Sequence, residues 1–144
     1  MFELTTDDRL TAWAEHRRQI EESHTPLEYI AEFWSNPPYI PYNKNIDPYN
    51  SKTWPTPWEV IVENKYDDFT KALMMSWTLK LTDKFKDSKI EIKTYTDRDN
   101  NRQYNLVYVN NDVVLNYKDS CVLRSIEVPD NFYLENIVEA QRPR

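Results

Sequence analysis

The chain has 144 residues, of which 40% are hydrophobic and 14% aromatic, with a formal charge of −6, one cysteine and no glycine. That length and apolar content suit a single domain with one core, while the charge argues against phosphate-backbone binding, which rests on a basic surface, and the cysteine count excludes an intrachain disulfide or a Cys-rich metal site. Without glycine, phosphate-cradling loops, dinucleotide fingerprints and nucleophile elbows are absent in their usual form, because each needs a positive φ or a close backbone approach.

Residues 6–23 read as a helix: Leu10, Trp13, Ala14, Arg17 and Ile20 recur at helical spacing, with Asp7 and Asp8 in the first turn near the positive dipole end. Thr25-Pro26-Leu27-Glu28 predicts a second, box-capped helix with Leu27, Ile30, Ala31 and Trp34 on its buried stripe. Residues 1–35 hold eight acidic and three basic side chains, a net −5, read as a solvated helix surface or, alternatively, as a face for a basic partner.

Residues 36–57 carry six of the nine prolines together with Tyr39, Tyr42, Tyr49 and Trp54. Pro37 and Pro38 end the second helix, and the segment is a stiff, ring-bearing connection whose rings either insert into the core or anchor a partner. Tyr39, Tyr42, Tyr49 and Trp54 are accordingly the candidate partner-binding residues.

Thr56-Pro57-Trp58-Glu59 repeats the capping pattern and opens a short helix to about Asn64. Asp67 and Asp68 then start a longer helix whose apolar positions, among them Phe69, Leu73, Met74 and Trp77, surround it, which predicts a central, buried element. After Lys89 the period changes to alternation: residues 90–95, 104–109, 113–117 and 121–128 read as antiparallel strands, and 132–138 as a last one, with Asn and Asp at the hairpin turns. The predicted architecture is one α+β domain over 1–144: helical at 1–35, a Pro/aromatic connection at 36–57, helical again at 58–86, and antiparallel strands over 89–139. The buried central helix packs on a sheet of about four to five strands.

No catalytic, cofactor-binding or metal-ligating set is predicted. His16 and His24 read as exposed or capping histidines, without a third ligand to make a metal site. Asp67 and Asp68, adjacent on a helix, diverge and serve the helix start better than acid–base chemistry. Asn36-Pro37-Pro38-Tyr39 matches a short amine-methyltransferase motif, but the glycine-bearing cofactor loop of that fold is missing. No apolar run reaches the roughly 18–20 residues of a membrane span, and the residues from Met1 to Thr5 lack signal-peptide character.

Asp47-Pro48-Tyr49, Trp54-Pro55-Thr56-Pro57-Trp58-Glu59 and the stretch from Glu63 to Phe69 resemble small proteins of tailed bacteriophages, particularly contractile-tailed marine ones. That resemblance covers most of the chain and implies action in a virion or in an infected host cytoplasm, through other phage proteins or self-association. A second, distant resemblance lies in the order of elements from Trp58 to Tyr117, which is similar to transglutaminase-like cysteine peptidases. There a Cys-Asp-Asp-Phe type of motif opens the core helix, and His and Asp follow on strands. Tyr66-Asp67-Asp68-Phe69 places Tyr66 at the nucleophile's position, Asn116 falls where the orienting Asp would, and no His follows His24. These departures lead to the expectation of a non-enzymatic phage protein, a virion component or assembly adaptor. The alternatives are an acidic inhibitor of a host protein, and a degenerate papain- or transglutaminase-like hydrolase, which a cleft with a strongly perturbed carboxylate would favour.

Overall fold

The computed structural model describes residues 1–143. Four helices, α1 (Thr6–Glu22), α2 (Pro26–Phe33), α3 (Pro57–Glu63) and α4 (Asp68–Lys80), precede five strands, β1 (Ile90–Asp97), β2 (Arg102–Val109), β3 (Val113–Leu115), β4 (Val122–Arg124) and β5 (Phe132–Glu139). The strands form one antiparallel sheet in the order β4-β3-β2-β1-β5. The α+β class and the sheet size agree with the expectation. No helix among the described residues is long and apolar enough to cross a membrane.

The core forms where α4 lies on the sheet. Alternation sends Ile90 and Ile92 of β1, and Val107 and Val109 of β2, to one face, where they join Leu73, Met74 and Leu79 of α4 in a single buried cluster. Leu106, Tyr108 and Val114 point the other way into a smaller cluster with Tyr95, Tyr104 and Tyr117 on the outer face. Because α4 is covered all round by α3, β1 and β2, its interior polar residues bond locally: Ser76 Oγ donates to the Ala72 carbonyl at 2.8 Å and Thr78 Oγ1 to that of Met74 at 2.6 Å. Thr78 Oγ1 also accepts from Trp13 Nε1 at 3.0 Å, tying α1 to α4.

The missing glycines are replaced as foreseen. Asn101, Asn110 and Asn111 take left-handed φ of 51°, 53° and 59° in the two hairpin loops, and Asn64 does so at the end of α3. Thr56 completes the expected capping box with Glu59 (3.2 and 3.0 Å), but the side chain of Thr25 caps nothing. Its ψ of 63° lies well short of the extended ψ of 157° at Thr56. The fourth strand is shorter than expected, ending at Arg124 in a 3-10 turn over Ser125–Glu127.

His16 corrects the expectation of an exposed residue. It is 1% exposed, stacked on Phe33 with ring centroids 3.5 Å apart, because α2 folds back across α1 and covers the face that carries it. Of the ring-bearing connection, only Trp54 inserts, packing its ring against Phe69 and Trp77. Tyr39, Tyr42 and Tyr49 are 71%, 71% and 69% exposed. The connection is held instead by Ile46 and Asn43, both buried, and by a two-bond bridge in which Ile40 N donates to Tyr66 O (2.9 Å) and Tyr66 N to Pro38 O (3.0 Å).

Candidate functional site

The helix-facing rows of the sheet change character along their length. On β1 the row runs Ile90, Ile92, Thr94, and on β2 it runs Val109, Val107, Asn105, Gln103, so both turn polar toward the end of the sheet nearest the start of α4. β3 pairs with β2 only over Val107–Val109, which leaves the main-chain N–H of Asn105 beyond the end of that ladder. Asp68, the first residue of α4, takes it up: its Oδ2 accepts from Asn105 N at 3.0 Å and from Asn105 Nδ2 at 2.9 Å. Its Oδ1 accepts from Asn116 Nδ2 at 3.3 Å, and the same Nδ2 donates to the Asn105 carbonyl at 2.9 Å.

This network is over-determined. Thr94 Oγ1 donates to Asn105 Oδ1 at 2.8 Å, which fixes the amide's orientation. Asn116 sits just past β3 with a left-handed φ of 70°, a conformation Asn tolerates and one that recurs at functional positions. Burial pushes the Asp68 carboxyl above the ordinary carboxylate range; the amide donors of Asn105 and Asn116 and the charge of Lys71 pull the other way without cancelling it. Its neighbour Asp67 is the N-cap, accepting from Thr70 N (2.7 Å) and Thr70 Oγ1 (2.6 Å), while its other oxygen accepts from Asn43 N at 3.0 Å and binds the connection to the helix start.

Three cavities meet at Asp68. One of about 150 Å³ lies between Asp67, Asp68 and Asn105 and the rings of Tyr42 and Tyr49. A second, of about 260 Å³, runs past Ser35, Tyr39 and Lys71, and a third, of about 220 Å³, past Arg102, Asn116 and Lys118. Together they make a cleft across the N-terminal end of α4, with the Pro/aromatic connection as one wall and the ends of β2 and β3 as the other. Tyr39, Tyr42 and Tyr49 thus line the cleft, whereas Trp54 belongs to the packing behind it.

Of the two residues that the sequence set at nucleophile and orienting positions, the structure brings Asn116 to the cleft and keeps Tyr66 out of it. Tyr66 is 1% exposed and wedged edge-on to Phe2 and Trp34; the residue that faces β2 and β3 is Asp68. Asn105 and Asn116 come from the following strand and from the turn after the next one. Neither Cys121 nor either histidine lines the three cavities at Asp68. The overlooked signal was the switch from Ile and Val to Thr, Asn and Gln along one face of β1 and β2, readable from period-two alternation alone.

No family model and no curated protein matches the sequence. Solved structures do. Legionella pneumophila LapG superposes with a TM-score of 0.67 over 94% of this chain and 77% of LapG, at 19% identity. Its EGTA-treated form gives 0.67 at 21% identity over 90% and 71% of the two chains, and its calcium-bound form 0.65 at 20% identity over 92% and 74%. LapG is a transglutaminase-like cysteine protease. The expectation of a protein outside the enzyme class is therefore corrected: it rested on the absence of Cys and His from the positions of the peptidase motif, whereas the fold of the chain is one that an enzyme uses. At this level of identity the likeness establishes the fold, and the chain has the α+β fold of LapG.

Proposed function

We propose that the chain grips an extended polypeptide in the cleft across the start of α4, with Asp68, held by Asn105 and Asn116, as the polar group presented to the bound backbone. The observation that carries this reading is the meeting of three cavities at one fixed carboxylate. A compact small-molecule site is a single well-formed, mostly apolar pocket, whereas three small depressions that share one residue suit an elongated ligand. The LapG fold supports the same substrate class, since a protease fold is shaped to admit a chain. The sequence resemblance to phage proteins supports a phage polypeptide as the occupant, met in the virion or in the host cytoplasm.

One observation favours a second reading, hydrolysis at the same place. A carboxyl held in a cleft, with its proton affinity raised by burial, is the kind of group that serves as general acid or base. Asp68 would then take a proton from a water attacking a backbone carbonyl and pass it to the amine that leaves as the C–N bond breaks.

Fluorescein-labelled casein, an unfolded polypeptide, tests both. The account expects a saturable rise in polarisation with the native chain and its loss in Gln103→Trp, where an exposed residue lining the cavity beside Asp68 becomes a plug, at unchanged Tm. Undiminished binding by that variant, or none by the native chain, contradicts the reading. Mass spectrometry of the same samples reports cleavage, and cleavage lost in Asp68→Asn would assign the chemistry to that carboxylate.

A further inference from the structure

Resting on the polypeptide-binding reading, we propose that the cavity between Tyr42, Tyr49 and the Asp67–Asp68 pair receives a cationic side chain, lysine or arginine, of the bound segment. The cavity's volume of about 150 Å³ matches one side-chain end, being that of a void that takes up benzene.

Charge singles it out among the three depressions. The other two include basic residues in their walls, Lys71 in one and Lys71, Arg102 and Lys118 in the other. This one has two carboxylates and no cation. Asp67 and Asp68 are satisfied by neutral amide and hydroxyl donors on this side, and Lys71, whose charge also reaches Asp68, lines only the other two depressions and is ion-paired with Asp119 at 2.8 Å, so the negative charge facing this cavity is oriented and only partly offset. An incoming cation would gain Coulomb energy at partly desolvated anions, where screening is weaker than in bulk water.

The rings supply the second half of the argument. Elsewhere in the molecule several tyrosines already carry a cation of the chain itself: Arg98 lies over the half-exposed Tyr133, Arg102 over Tyr104, Lys118 over Tyr117 and Lys93 over the buried Tyr108, at 4.2–5.7 Å from the centroids. Among the described residues Tyr42 and Tyr49 stack on no other ring and have no such cation, although they flank the carboxylates. Pro41 and Pro48, each immediately before one of these tyrosines, restrict the backbone that presents them. Two open ring faces beside two anions make a cation cage with little left to order on binding.

Blocked alanine-based peptides carrying one central lysine, arginine, norleucine or glutamate discriminate, with affinities followed by fluorescence polarisation at low salt. The lysine or arginine peptide is expected to bind about tenfold more tightly than the norleucine peptide, the size of one good cation–π contact beside a carboxylate, and the glutamate peptide more weakly than either. In Tyr42→Leu/Tyr49→Leu, whose exposed positions leave the fold intact, the cationic preference should fall to near parity while norleucine binding persists. Equal binding of the lysine and norleucine peptides overturns the cation pocket and leaves the cleft standing. Failure of every peptide to bind overturns the cleft reading and the pocket with it.

Discussion

At the start of α4 the Asp68 carboxylate meets three amide N–H groups and Thr94 locks the Asn105 amide, whereas in the layer formed by α1 and α2 the nitrogens of His16, Nε1 of Trp34 and the hydroxyl of Tyr66 are buried without a hydrogen-bond partner in the protein. Both places hold polar atoms away from water. In the first, the chain commits several residues from three elements to satisfying one charge. In the second, rings pack on rings (His16 on Phe33, Trp34 edge-on to Tyr66), and the polar atoms are carried along with the apolar surface. Polarity that is fully paired at a cleft marks a site, while polarity stranded among aromatics marks packing that costs stability.

Acid is the strongest way to separate the two. Burial, with a smaller contribution from the nearby Arg17 charge, holds the His16 imidazole down to about 3, against 6.5 in an unfolded chain. The unfolded state therefore binds the extra proton first, and stability is complete above pH 6.5 and declines as pH falls toward 3. At about 1.4 kcal/mol per pH unit, His16 alone removes about 3 kcal/mol by pH 4. Asp68 has the opposite sign: its raised carboxyl favours the folded state at low pH, and that contribution is lost as pH rises through its folded-state value. Urea titrations from pH 7 to 4 should show the His16 slope in the native chain and its loss in His16→Phe; equal slopes would contradict the assignment.

Next in size is Asp68→Ala, which strands the donors of Asn105 and Asn116 and should cost about 2 kcal/mol in chemical denaturation. A smaller effect of opposite sign is expected for His16→Phe at pH 7. It keeps the stack on Phe33 and deletes two unpaired nitrogens, raising stability by about 1 kcal/mol. The smallest effects belong to Tyr42→Ala and Tyr49→Ala, within about 0.5 kcal/mol of the native chain, because these rings lie largely in water. A collapse of Tm in either would return that ring to the core.

Much of the fold was legible because its signals are local. Proline and threonine capped α3, the apolar girdle of α4 announced a buried helix, and Asn-rich turns stood in for glycine. The site was less legible. Asp68 looked like a helix-start residue because its partners, Asn105 and Asn116, lie 37 and 48 positions away, and no periodicity links them. The shortness of β3, which frees the Asn105 N–H, is a tertiary outcome. The burial of His16 depends on α2 folding back over it, which no local pattern encodes, and the enzyme-like architecture lies in the order of elements while the side chains depart from it.

On the proposed reading the cleft at the start of α4, and not the exposed apolar strand β5 on the far edge of the sheet, is the recognition surface. Amide chemical-shift mapping with the lysine-bearing peptide tests it most directly. Perturbations are expected at Tyr42, Tyr49, Asp68, Asn105 and Asn116; shifts confined to Tyr133, Leu134 and Ile137 would overturn that reading.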